Sequence, residues 1–272
     1  MAESTFDRAR FQARLATRQL GRHLVARAEV ESTNDAAWEA QAVGAPDGTV
    51  VVADAQTRGR GRAGRRWHLV PGEGLALSAL LDQGCDRHTL GVLPLGAGLA
   101  LARGLERLGV TAELKWPNDL LLGGRKLAGI LCESRRAALG DETGAGDAAV
   151  IGVGINVGGR REQFPPEIRE HATSLALEGF ALDRETVAAE FLNALEPLWT
   201  TLEEDGREPV LDAWRARASF WGRSVLVRTP SGELSGVART LDADGGLVLR
   251  LESGAETTVL AGDLEIAPLE PR

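Results

Sequence analysis

The spacing of apolar residues changes period several times along the chain, and each change marks an element. Residues 5–20 mix apolar positions with arginines and predict a short helix, and residues 21–30 predict a strand. That strand runs into Glu31-Ser32-Thr33-Asn34-Asp35, a helix-start cluster in which Ser32 or Thr33 is expected to cap a helix over Ala36 to Val43. Gly44 to Gly48 is a turn. Thr49 to Ala53 (TVVVA) and Leu75 to Leu81 (LALSALL) are apolar runs of strand length and predict buried strands. Between them, Arg58 to Arg66 cannot bury a face and predicts an irregular loop, mobile without ligand. Thr89 to Leu108 reads as a long apolar helix stopped by Gly109. Ala112 to Trp116 predicts a strand interrupted by Pro117. Leu120 to Leu122 and Lys126 to Cys132 predict a hairpin around Gly123-Gly124, a pair that accepts positive φ. The small, polar stretch Ala137 to Ala148 predicts a hairpin loop. Ala149 to Val157 (AVIGVGINV) predicts another buried strand, whose glycines mark where something approaches the backbone closely.

Asp183 caps a predicted helix reaching about Glu204, with a kink expected at Pro197, and Glu208 to Ser219 predicts a further helix. From Gly222 the texture becomes short and alternating. Strands are expected at Ser224 to Arg228, Leu234 to Leu241, Leu247 to Leu251 and Glu256 to Leu260, parted by glycine-containing turns. The organisation expected is a larger domain over residues 1–220 and a small β-barrel over residues 221–272. The fold class is α+β: a mixed sheet covered mainly on one face by helices, with the barrel appended and a ligand pocket on the open side of the sheet, under the loop.

Composition narrows the function. The net charge of −8 argues against nonspecific binding to nucleic acid or an anionic membrane surface, so the positive charge of the arginine loop has a local use. Cys85 and Cys132 form no CxxC, and His23, His68, His88 and His171 have no metal-ligand spacing. The N-terminus is charged, with no apolar core of a signal peptide, and no apolar run approaches the ~20 residues of a membrane span. The compartment expected is the reducing cytoplasm.

Of the 31 basic residues only Lys115 and Lys126 are lysines, and both lie in one segment, AELKWPNDLLLGGRKLAGILCES. A lysine is a compact point charge able to follow a moving oxygen, where arginine is a planar fork. Composition bias is the simpler account of the scarcity; the neighbours give the pair its weight. The upstream loop QTRGRGRAGRRW (Gln56 to Trp67) supplies fork-shaped donors from Arg60, Arg62 and Arg65. Gly59, Gly61 and Gly64 let backbone N–H groups approach an anion. Trp67 can pack on an aromatic base. Asn118 and Asp119, after Pro117, can hold a metal ion or orient a nucleophile, although Pro-Asn-Asp alone is commonly turn chemistry. Together these segments suit two anions that must meet, a carboxylate and a phosphate.

QTRGRGRAGRRW, KWPNDLLLGGRKLAGIL and IGVGINV, in that order and with Ser32-Thr33-Asn34 upstream, resemble the biotin–protein ligases over residues 25–160. The β-rich tail resembles that family's SH3-like C-terminal domain more weakly. The resemblance implies activation of biotin by MgATP as biotinyl-5′-AMP, then transfer to a lysine of a biotin carboxyl carrier protein or domain. It implies that Ser32, Thr33, Asn34 and Gln56 face the head of biotin, and that Arg60, Gly61 and Arg62 close over the carboxylate and phosphate. Lys126 would stabilise charge during adenylation, and Gly129 would lie against the floor of the biotin pocket. Arg65, Trp67, Lys115, Asn118, Gly154 and Asn156 would face the nucleotide, with Mg²⁺ carried on its phosphates. Asp119 would orient or deprotonate the acceptor lysine, which at pKa ~10.4 is otherwise protonated at neutral pH.

About thirty residues precede Ser32, fewer than a winged helix-turn-helix needs, so a monofunctional ligase without a DNA role is expected. Members of the family dimerise through a sheet edge, which keeps a homodimer open. The nearest alternatives are a lipoate–protein ligase of the same superfamily and a nonenzymatic nucleotide-binding regulator. A nucleic-acid-binding module, suggested by the loop, runs against the net charge.

Overall fold

Two β-sheets organise the described residues, and the larger one carries the site. The computed structural model describes residues 3–85, 87–135 and 147–266. The hairpin loop expected at Ala137 to Ala148 falls almost wholly outside the described residues. The strands of the first sheet are β1 (Leu24–Val30), β2 (Val50–Gln56), β3 (Leu75–Cys85), β4 (Glu113–Lys115), β5 (Asp119–Leu122), β6 (Arg125–Arg135) and β7 (Asp147–Ile155). Their order is β1-β2-β3-β7-β6-β5-β4, with β1 and β2 parallel and the other neighbours antiparallel.

Strand alternation sorts the two faces of this sheet. Ala149, Ile151, Val153 and Ile155 of β7 enter the main apolar core. There they meet α1 (Arg8–Arg14), α3 (Arg87–Arg107), α4 (Arg184–Glu204) and α5 (Glu208–Arg217). Among the described residues the opposite face carries a single helix, α2 (Thr33–Ala42), whose Ala37 and Trp38 cover Val51, Leu80 and Val150. Beyond the start of α2 that face opens, because the residues facing outward there are Gly129, Gly152 and Gly154. The placement of the helices and the open side therefore follow the expected α+β arrangement.

Local details depart from expectation for physical reasons. The α2 helix begins at Thr33, and Ser32 stands at its N-cap without a side-chain capping bond. The Thr33 N–H donates instead to Gln56 Oε1 at 2.8 Å, so an amide from the end of β2 satisfies the helix start. Pro197 lies inside α4 without dividing it.

The second sheet holds β8 (Ser224–Thr229), β9 (Gly232–Leu241), β10 (Leu247–Arg250), β11 (Glu256–Val259) and a fifth strand, β12 (Asp263–Ile266). All are antiparallel, in the order β11-β10-β9-β8-β12. The four-residue β12 is not expected from the sequence, because Asp-Leu-Glu-Ile alternates for too short a run to register as a strand. This sheet docks on the helical side: Trp116 Nε1 donates to the Gly245 carbonyl at 3.0 Å, and Val225, Ala238 and Leu249 join the same core as α3.

Candidate active site

The open face forms a cavity of about 280 Å³. At one end the backbone approach is set by Gly152. A Cβ on Gly152 would collide with Asn34 Oδ1, so only glycine lets Asn34 lie against the sheet. Asn34 is fixed there by Ser78 Oγ, which donates to its Oδ1 at 2.7 Å, and by its own Nδ2, which donates to the Leu131 carbonyl at 3.2 Å. Ser32 and Thr33 are buried beside it, and Thr33 Oγ1 lies 3.2 Å from Gln56 Oε1. Hydroxyls and amides from α2 and β2 thus gather at one point, offering both donors and acceptors.

In the middle, Gly129 of β6 and Gly154 of β7 stand opposite each other in register and make a flat shelf. The Trp67 indole lies on it. A Cβ on Gly154 would overlap the ring, and one on Gly129 would sit 3.2 Å from Cζ3. The indole N–H is buried and has no partner among the described residues, which makes it a donor that a bound group can satisfy.

The charged end depends on a β-bulge. Asp119 and Leu120 pair with Gly129 and Ala128, but Leu121 pairs with Lys126, leaving Leu127 as the extra residue. Leu127 and Ala128 both enter the core, so Lys126 emerges on the same face as Gly129. Strict alternation from Gly129 back through all four residues, with no bulge, would put Lys126 on the core side. The bulge is clamped from outside. The Lys126 N–H donates to the His171 carbonyl at 2.7 Å, Thr173 N–H to the Lys126 carbonyl at 2.9 Å, and Asn156 N–H to the Leu127 carbonyl at 3.0 Å. Asn156 Nδ2 also donates to the Thr173 carbonyl at 2.9 Å.

Lys126 Nζ lies 2.7 Å from Asp119 Oδ1 and 5.9 Å from the centre of the Trp67 ring. The ion pair is close but poorly aligned, since Asp119 Oδ1 is buried without a well-formed hydrogen bond. Arg62 Nη1 donates to Asn118 Oδ1 at 3.0 Å, and Asn118 Nδ2 to the Ile130 carbonyl at 2.7 Å. Burial pulls the Arg62 guanidinium below its ordinary pKa; Asp263 and Asp119 oppose that pull and Arg65 adds to it. Two cationic side chains therefore converge on one end of the cavity, with Asp119 the one acidic side chain lining it among the described residues.

Of the residues singled out in the sequence, Ser32, Thr33, Asn34, Gln56, Arg60, Gly61, Arg62, Arg65, Trp67, Asn118, Asp119, Lys126, Gly129, Gly154 and Asn156 all line this cavity. Lys115 does not. It stands opposite Asp119 in the β4–β5 register, on the edge strand, one strand further out than the cavity wall. Asn156 directs its backbone N–H and its Nδ2 to the bulge clamp. Arg65 Nη2 reaches Asp263 Oδ1 of β12 at 2.7 Å. Sequence reasoning missed Phe164, Ile168, His171 and Ala172, which close the far side of the cavity. No periodic pattern or motif marks them; the bond from the Lys126 N–H to the His171 carbonyl ties their segment to β6.

A fold and a site of this kind define a ligase of the biotin/lipoate class. The sequence model described as the Biotin/lipoate A/B protein ligase family matches residues 26–156, and that of the Biotin protein ligase C terminal domain matches residues 220–266. The chain belongs to the biotin–protein ligase family. It is 34% identical over 254 residues to the bifunctional ligase/repressor BirA of Bacillus spizizenii, covering 93% of this chain and 76% of that protein. It is 36% identical over 248 residues to the biotin–[acetyl-CoA-carboxylase] ligase of Mycobacterium tuberculosis, covering 87% of this chain and 86% of that one. Among solved structures, the biotin protein ligase of Aquifex aeolicus in complex with biotin and ATP superposes with a TM-score of 0.74. The two are 29% identical, over 90% of this chain and 99% of that one.

Proposed function

We propose that this chain joins biotin to ATP as biotinyl-5′-AMP and passes the biotinyl group to a lysine of a carboxylase carrier domain. The observation that supports this best is the polarity of the cavity. Uncharged donors and acceptors (Ser32, Thr33, Asn34, Gln56) gather at one end, Lys126 and Arg62 at the other, and an indole shelf lies between. A ureido head, an aliphatic chain and a carboxylate follow the same order. The relatives named as biotin–[acetyl-CoA-carboxylase] ligases favour biotin over lipoate.

In the first step a biotin carboxylate oxygen attacks the α-phosphorus, the bond to the β-phosphate oxygen breaks, and pyrophosphate leaves. Both reactants are anions, so Lys126 and Arg62 act by lowering their mutual repulsion and by stabilising charge on the α-phosphate oxygens. The shelf under Trp67 excludes water from the mixed anhydride. In the second step a neutral acceptor amine attacks the acyl carbon, the bond to the adenylate oxygen breaks, and AMP leaves. Asp119 lies opposite Gly129 in the cavity wall, and in this reading it would orient the amine and take its proton.

Magnesium on the triphosphate would supply charge neutralisation at the departing pyrophosphate. Among the described residues no group of three or more His, Cys, Asp and Glu could hold a metal. Asn118 Oδ1 accepts from Arg62 and Asp119 Oδ1 faces Lys126, so these residues suit an ion delivered on phosphates rather than one caged by protein. Lys115, one strand beyond the cavity wall, would meet only the outer phosphates. We assign residues 1–220 to adenylation and transfer and residues 221–272 to an appended domain, consistent with the C-terminal family match.

Purified chain should exchange labelled pyrophosphate into ATP when biotin is added and not when lipoate replaces it. Exchange with lipoate alone would transfer the assignment to the sister activity, and nucleotide binding without exchange would make the chain a regulator.

A further inference from the structure

The family resemblance sets Arg60 against the ligand anions, yet its guanidinium is already engaged. Nη1 is ion-paired with Asp35 Oδ2 at the start of α2, and Nη2 lies 2.8 Å from Glu133 Oε1 on β6. The second oxygen of Glu133 accepts the indole N–H of the buried Trp38 at 3.1 Å, and Arg135 stacks on that ring at 4.4 Å. Glu133 is therefore fixed from behind before it meets Arg60. Two carboxylates offset one guanidinium, leaving it little positive potential for a third anion. Asp35 above all, and then Glu133, hold Arg60 more firmly protonated than usual, against the effect of burial.

The same arginine belongs to the turn of the loop. Arg60 forms a bridge with Arg66, and Gly61 N–H donates to the Arg65 carbonyl at 2.7 Å. Holding the side chain of Arg60 thus holds both strands of the turn that carries Arg62, and Trp67 N–H donates to the Gly59 carbonyl at 3.0 Å just beyond it.

We infer that Asp35 and Glu133 form a two-carboxylate latch on Arg60 that keeps the glycine–arginine loop closed over the cavity. Arg60 is then a positioning residue, and anion binding is left to Arg62 and Lys126. The inference rests on the loop being the cover of an acyl-adenylate site. Neither Asp35 nor Glu133 lines the cavity, so both can be changed without touching the reacting groups.

The test uses the full chain and the double variant Asp35→Asn with Glu133→Gln, in which the new amide oxygen at position 133 can still accept from Trp38. Trypsin reports directly, because the loop contains five arginines. Cleavage within residues 58–66 should speed up about fivefold to tenfold, as expected for losing two half-exposed charge-assisted bonds. With biotin and ATP present, labelling of bystander albumin should rise by a similar factor while the melting temperature stays unchanged. Arg60→Gln alone should behave like the double variant, and adding it to the double variant should change nothing further. Wild-type cleavage and labelling rates in the double variant would overturn the latch. So would a further tenfold loss of pyrophosphate exchange on adding Arg60→Gln, which would make Arg60 a direct anion ligand. A wild-type chain with no biotin-dependent exchange would sink the ligase assignment instead, with the proteolysis still reporting on the latch.

Discussion

A single side chain decides between the chemistries a cationic pocket could support, and here it is Lys126. Its ammonium lies against Asp119 and near the indole of Trp67, a placement that suits a point charge able to move between oxygens. Lys126→Arg should retain the fold but lower biotin-dependent pyrophosphate exchange by about two to three orders of magnitude, the scale of losing one preorganised charge stabiliser. Exchange within a few-fold of wild type would remove Lys126 from the first step. Lys126, Asp119 and Trp67 were legible in the sequence because each stands in an unusual local run. The partners of Arg60 were not. Asp35 and Glu133 lie 25 and 73 residues away, and nothing in either local sequence shows which cation they meet.

Elements, rather than residues, aim that lysine. The bulge at Leu127 turns Lys126 to the open face, and residues 171–173 hold the bulge by backbone hydrogen bonds. Glu178 ties the clamp down. It accepts from Thr173 Oγ1 and pairs with Arg125 at 2.6 Å, next to the β5–β6 turn. Glu178→Gln keeps the shape but weakens both contacts. It should lower the maximal exchange rate about tenfold with the biotin KM nearly unchanged, since charged hydrogen bonds of this kind contribute about 1.5–3 kcal/mol. A change confined to KM would mean that the clamp shapes the biotin pocket instead. Strands and helices with a clear period were legible at this scale, down to the Gly123-Gly124 turn. The bulge was not, because Lys-Leu-Ala-Gly carries no sign of which residue is extra. Ser32 looked like a helix cap for sound local reasons, but Gln56, arriving from β2, satisfies the helix start instead.

At the scale of the whole molecule, the N-terminal segment is anchored to the larger sheet and to α4. Thr5 N–H donates to Asp54 Oδ2 at 2.6 Å, and Arg184 of α4 pairs with Asp54 Oδ1 at 2.8 Å, joining the N-terminal segment, β2 and α4. Burial alone would raise the Asp54 pKa, but Thr5 and Arg184 together outweigh it and hold the carboxyl below its ordinary value. A depressed folded-state pKa adds stability that is present above the unfolded value and lost as pH falls through the folded one. Asp54→Asn strands a buried guanidinium and should cost about 3 kcal/mol at neutral pH. The gap in melting temperature between it and the wild type should close as pH falls below about 4. A gap that persisted unchanged in acid would assign the loss to packing rather than charge. The α+β class, the open side of the larger sheet and the β-rich tail were all legible, since each follows from apolar periodicity. The docking of the tail through Trp116 and Gly245 was not, because it is a contact between distant surfaces.

The central claim is that Lys126 and Arg62 meet at one end of a cavity whose other end reads an uncharged polar head. A crystal structure of the chain with a non-hydrolysable biotinyl-adenylate measures this directly. The acyl-phosphate oxygens should lie within hydrogen-bonding reach of Lys126 Nζ and the Arg62 guanidinium, with the ureido ring beside Ser32, Thr33 and Gln56. An adenylate bound with its phosphate remote from both cations, or with the ureido ring at the cationic end, would contradict it.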